Sequence, residues 1–131
     1  MDVTLGPWKA DKSVNESQGK ALAEAMGDEA WQTATNLPDF TPIKSPPGKP
    51  ADKGFTISGV LTSLVKKGAK TEVEAKFTIW VDGTFSNVAP LDGGASAEGS
   101  MTAEDALRAV TADRVTKLLM AIKAGQVAKL H

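Results

Sequence analysis

The strongest pattern of apolar and polar positions runs from Gly54 to Asp82. In its second half Val73, Ala75, Phe77, Ile79 and Val81 alternate strictly with Glu72, Glu74, Lys76, Thr78 and Trp80. A period of two lines one face of a β-strand, whereas a helix would scatter the same residues around its circumference. The first half puts Phe55, Ile57, Gly59 and Leu61 on one face and Thr56, Ser58, Val60 and Thr62 on the other. Lys66 to Lys70 is polar and carries Gly68, which suits a reversal between the two arms. The pattern predicts a hairpin, and one register sets Phe55 against Val81, Ile57 against Ile79 and Gly59 against Phe77. That register gives the Phe77 ring the facing position with no side chain.

Weaker patterns flank the hairpin. Val3-Thr4-Leu5 predicts a short opening strand ended by Gly6-Pro7, with Trp8 in the turn as a lid on one end of the core. Ser13-Val14-Asn15-Glu16 has the capping-box pattern, in which the Ser13 hydroxyl accepts the N3 amide and Glu16 reaches back. A helix is expected across most of 14–36, with Val14, Ala21, Leu22, Ala25 and Met26 at helical spacing and Trp31 in the core. Gly27-Asp28 is a candidate break in it, since Gly favours a helix end and Asp a new N-cap. Phe40 to Ile43 reads as a short strand, and Pro42 holds it to a sheet edge. Lys44 to Pro50 is a solvated, proline-rich loop.

Beyond the hairpin, Asp82-Gly83 suits a type I′ turn that folds Thr84 to Val88 back as a strand. Pro90 to Gly94 reads as a further turn, and Ala95 to Glu98 as weakly strand-like. Thr102 to Asp105 opens a second helix whose stripe is Leu107, Val110, Val115, Leu118, Leu119 and Ile122, with Gly125 as its stop. The expected fold class is α+β, a single two-layer domain over 1–131. One mainly antiparallel sheet of three to five strands carries two helices on one face, in the order β-α-β-β-β-α.

Composition narrows the function classes. The chain has 131 residues and a formal net charge of −1, so no uncompensated basic surface calls for nucleic acid. No uninterrupted apolar run approaches the ~20 residues that span a bilayer. Met1 to Thr4 has neither the basic nor the apolar region of a signal peptide, which fits a cytosolic protein or one whose signal has been removed. With no cysteine, thiol catalysis, thiolate metal sites and disulfides are excluded. The single histidine is the terminal His131, so no Ser-His-Asp arrangement can form.

Two sets of residues invite a chemical reading. Gly94 to Ser100 has the spacing of a phosphate-binding loop but lacks its lysine. Asp82, Asp92 and Glu98 are imaginable as metal or acid/base groups, yet turn Asp residues beside Gly already bond their own backbone. No Ser-x-x-Lys stands in a recognisable setting. Neither catalysis, nor a metal, nor a cofactor is expected. A surface remains: Trp80, Val60, Leu64 and Thr78 fall on the hairpin face away from the helices, where an indole among aliphatic neighbours suits a partner-binding anchor. The alternative is that the proline-rich loop caps Trp80.

The succession of an opening strand and helix, Phe55-Thr-Ile-Ser-Gly59-Val-Leu, a charged turn, Phe77-Thr-Ile-Trp-Val81 and a helix from Thr102 resembles a known family. It is similar to the small α+β domain of bacterial cell-envelope accessory lipoproteins: penicillin-binding-protein activators, the curli-secretion lipoprotein and the N-terminal domain of the Tol-system propeller protein. The family's lipid-attachment cysteine is absent here. The resemblance implies a non-enzymatic adaptor of the periplasm or cell envelope, with a protein partner. Two alternatives stand beside it. One is a cytosolic small-ligand or nucleotide-binding domain using Gly93 to Ser100 and the N-terminus of the last helix. The other is a structural homo-oligomer subunit, paired through the Pro42 edge or the Trp80 face.

Overall fold

The computed structural model describes residues 1–85 and 91–125, the side chains of residues 85, 91 and 92 excepted. The expected strand continuation to Val88, Pro90 and His131 lie outside these residues. The chain forms β1 (Asp2–Ala10), α1 (Glu16–Thr35), β2 (Thr41–Lys44), β3 (Phe55–Lys67), β4 (Lys70–Val81), β5 (Thr84–Phe85), β6 (Leu91–Ala97) and α2 (Ala103–Lys123). The strands join one sheet in the order β2-β1-β3-β4, and β5 and β6 share the far side of β4. The class is α+β, as the patterns predict.

The hairpin has the expected register, with Phe55 opposite Val81, Ile57 opposite Ile79 and Gly59 opposite Phe77. Phe77, Ile57 and Leu61 are fully buried on its inner face. The Asp82-Gly83 turn has positive φ at both residues, 51° and 81°, as a type I′ turn requires. Asp82 also holds the neck of the hairpin: Gly54 N–H donates to its carboxylate at 2.7 Å, and its own N–H donates to the Gly54 carbonyl at 2.9 Å.

One sequence-level expectation fails between Leu61 and Ser63, where a β-bulge shifts the register. A bulge puts one extra residue on its strand, and one residue is enough to exchange the two faces. Beyond it Leu64 stands opposite Val73, on the helix side, packed against the core.

Parallel pairing separates the sheet from a plain meander. β1 lies between β2 and β3 and runs parallel to both. α1 crosses over between β1 and β2, as a parallel pair needs. Thr41 and Ser45 donate to the carbonyls of Met1 and Leu5 at 2.8 and 3.3 Å. Alternation therefore turns the nitrogen of Pro42 away from the ladder, where its missing N–H costs nothing. β1 does not end at Gly6-Pro7. Its register with β3 shifts between Leu5 and Trp8 and then resumes through Ala10.

Both helices cover the Phe77 face. The N-cap of α1 is Asn15, whose side chain accepts from Ser17 and Gln18 N–H, rather than Ser13, which bonds Asp11 and the Thr62 carbonyl. α1 is continuous through Gly27. The glycine there admits a ring: a Cβ on Gly27 would stand 2.8 Å from Trp8 Cδ1. Nearer the start of the same helix, a Cβ on Gly19 would stand 2.8 Å from the Ala10 Cβ. These two glycines let α1 settle onto β1. α2 begins with the full capping box of Thr102 and Asp105, and every residue of its predicted stripe is buried.

Candidate functional site

The predicted site residues do not all meet. Thr78 stands opposite Ser58 and Trp80 opposite Thr56, on the face away from the helices. Trp80 Nε1 donates to Ser58 Oγ at 2.8 Å, and the Ser58 and Thr78 hydroxyls share a hydrogen bond of 2.9 Å. Val60 lies on the same face and is 36% exposed. Leu64 is the exception, carried to the opposite side by the bulge. The proline-rich loop reaches this face as well: Ala51 N–H donates to Thr56 Oγ1 at 3.1 Å, and Thr56 is wholly buried. Trp80 is left half-buried.

Of the two glycines with phosphate-loop spacing, Gly94 is a strand residue and Gly99 stands in the turn before α2, with φ 64°. Gly93 and Gly94 lie in β6, opposite Ala75 and Glu74. A Cβ on Gly93 would come within 2.4 Å of Val110 Cγ1, so this glycine lets α2 approach the sheet. At the start of α2, Thr102 Oγ1 already accepts the Asp105 N–H. Of the three acids, Asp82 holds Gly54, and Glu98 pairs with Lys70 at 3.2 Å. Asp92's side chain is outside the described residues. Among the described residues no group of three or more His, Cys, Asp or Glu could hold a metal ion, and no helix is long and apolar enough to cross a membrane.

A groove that the sequence patterns do not foretell opens between α1 and the outer half of β1. Its volume is about 1130 Å³. Pro7, Trp8 and Ala10 of β1 form one side, Ala23, Gly27 and Trp31 of α1 the other, and Lys44 and Ser45 close the end beside β2. Trp31, expected in the core, is 38% exposed on this groove. The Trp8 ring is wedged between Gly27 and Gly59, whose Cβ would stand 2.8 Å from Trp8 Cζ3. Charged side chains rim the opening: Glu16, Lys20, Glu24 and Asp28 along α1, Lys9 on β1, and Asp11 and Lys12 just past its end. The groove is thus an aromatic trough with a mixed-charge lip. Its signal in the sequence is carried by two tryptophans, Trp8 and Trp31, and by Gly19 and Gly27 on one helix.

The two pKa shifts that stand out lie away from the groove. The Lys123 ammonium, hydrogen-bonded to Asp39, holds that carboxyl below the usual range. Lys117 and Arg114 do the same for Asp113. Both are surface ion pairs.

Fold and groove together define a two-layer α+β domain with an open cleft between its first helix and first strand. No protein-family model matches the chain, and no curated protein matches it. Solved structures do share the fold. A PelC dodecamer from Paraburkholderia phytofirmans superposes with a TM-score of 0.65 at 12% identity, covering 89% of this chain and 86% of that one. The hypothetical protein CT253 from Chlamydia trachomatis gives 0.61 at 8% identity, covering 94% and 96%. A minor lipoprotein from Acinetobacter baumannii gives 0.49 at 11% identity, covering 96% and 94%, too loose a match to carry an argument. At these identities the likeness is one of fold.

Proposed function

We propose that the chain is a non-enzymatic protein-binding and assembly module, an accessory or adaptor domain of a bacterial cell envelope, and that its partner seats in the α1–β1 groove. The observation that carries this reading is the exposed Trp31 beside the half-buried Trp8 in an open trough. Buried aromatic anchors surrounded by a polar rim are how protein interfaces concentrate their affinity. The shared fold adds support from the PelC structure, which is of a dodecamer. The envelope setting rests on the pattern of strands and helices that resembles the accessory lipoproteins. Trp80, Val60 and Thr78 form a second candidate surface, favoured less because the Trp80 indole N–H already donates to Ser58.

Photo-crosslinking in the native cell tests the proposal. A crosslinking side chain in place of Lys20, on the groove lip, should give a discrete protein adduct. The same group in place of Lys66, at the hairpin tip, should not. No adduct at 20, or equal adducts at both positions, refutes it.

A further inference from the structure

The groove borders on an unfinished sheet edge. β2 pairs with β1 only from Asp2 to Leu5, the last pair being Leu5 with Lys44. Past that point the chain leaves the edge and crosses the outer face, where Gly48 O accepts from the Lys9 ammonium and Ala51 N–H reaches Thr56. β1 nevertheless continues to Ala10, paired on its other side with β3 through Trp8–Gly59, Lys9–Val60 and Ala10–Leu61.

Backbone direction follows from one hydrogen bond. Asp11 N–H donates to the Leu61 carbonyl at 2.8 Å, so Asp11 turns toward β3. Successive residues of a strand present their N–H and C=O to alternate sides. Lys9 therefore also faces β3, while Trp8 and Ala10 present theirs to the open side. Among the described residues no strand lies on that side of Trp8 or Ala10, and the groove runs along it. α1 overhangs the same edge, its wall carrying Glu16, Glu24 and Asp28 against Lys20.

Resting on the assembly-module reading, we propose that the occupant of the groove is an extended polypeptide segment of the partner, added to the sheet as a strand in line with β2. It pairs with the N–H and C=O groups of Trp8 and Ala10. Donors and acceptors presented at strand spacing are matched by another strand's backbone, which is what makes β-strand addition a general mode of peptide capture. Every second side chain of the segment enters the trough between Trp8 and Trp31. A large apolar residue fits there, and the mixed-charge lip of four lysines and four acids receives the polar side chains beside it.

The test uses a phage-displayed library of random linear octapeptides selected on the intact protein, followed by synthesis of the enriched sequences. Two readouts are specific to strand addition. Hydrogen exchange of the Trp8 and Ala10 amides should slow at least about tenfold on peptide binding. N-methylation along the peptide should weaken binding about tenfold or more at alternate positions and leave the positions between them unaffected. Peptides that leave both amides unprotected, an N-methyl profile without alternation, or a selection that enriches nothing each overturn the proposal. The Lys20 crosslink separates this failure from that of the underlying reading. An adduct that persists removes strand addition alone, and its absence removes the groove as a partner site.

Discussion

Gly59 meets two rings at once. A Cβ there would stand 2.8 Å from Trp8 Cζ3 and 3.1 Å from Phe77 Cδ1, with both rings packed against the core. Gly59→Ala should therefore destabilise by ~1–3 kcal/mol through overpacking, read by urea denaturation. A neutral result would mean that the Trp8 ring can move aside. Phe77 is fully buried between sheet and helices, and Phe77→Ala should cost ~3–5 kcal/mol. The pairing of Gly59 with Phe77 is legible in the sequence because strict alternation on both arms fixes the register. The role of Trp8 is not, because Gly6-Pro7 looks like a strand end and hides the return of β1 to the ladder.

Asp39 illustrates residue-scale electrostatics. The Lys123 hydrogen bond and charge lower its pKa in the folded state. A lowered folded pKa means that this contribution to stability is present above the carboxyl's unfolded pKa and is lost as pH falls through the folded one. Lys123→Gln should move the Asp39 titration, followed by NMR, upward toward the ordinary carboxylate range. An unmoved titration would assign the shift to another cause. The pair is exposed, so any effect on stability is slight.

At the scale of elements, α1 shows how one residue type supports opposite readings. Gly27 suggests a helix end by local preference, yet the helix continues because Trp8 needs the space. In an exposed helix interior Gly→Ala would gain roughly 1 kcal/mol. Here Gly27→Ala places a Cβ 2.8 Å from the Trp8 ring, and a net loss of ~1–3 kcal/mol is expected. A net gain would restore the reading of Gly27 as a weak point. Gly27→Ala and a truncation of Trp8 should also be non-additive, since they touch the same contact. The bulge in β3 leaves a fainter trace: Leu61 and Leu64 are an odd number of positions apart, which two residues on one face of a regular strand are not. Period-two counting carried through that point puts Leu64 with Trp80, and the bulge reverses it. The stripe of α2 is fully legible, because its capping box and helical period agree with each other.

For the whole molecule, the α+β class and the two-helix layer follow from the order of patterns. The position of β1 between two parallel neighbours does not, since it depends on where α1 packs after crossing from β1 to β2. The groove arises from the same crossover: β2 stops at Lys44 while β1 runs on to Ala10, and α1 spans the gap. No local residue preference encodes that difference in length. The outer face with Trp80, Val60 and Thr78 is closer to expectation, although the loop through Ala51 covers Thr56 beside it. The proposed seat of a partner is the trough between Trp8 and Trp31. The most direct measurement of it is the yield of the Lys20-site crosslinked adduct in a Trp31→Ser background, taken together with thermal unfolding. Trp31 is 38% exposed, so folding should lose roughly 2–4 kcal/mol, which thermal unfolding measures, while truncating an interface anchor costs ~2 kcal/mol or more of binding. A folded variant whose adduct falls about tenfold or more is expected. A folded variant with undiminished adduct would contradict it.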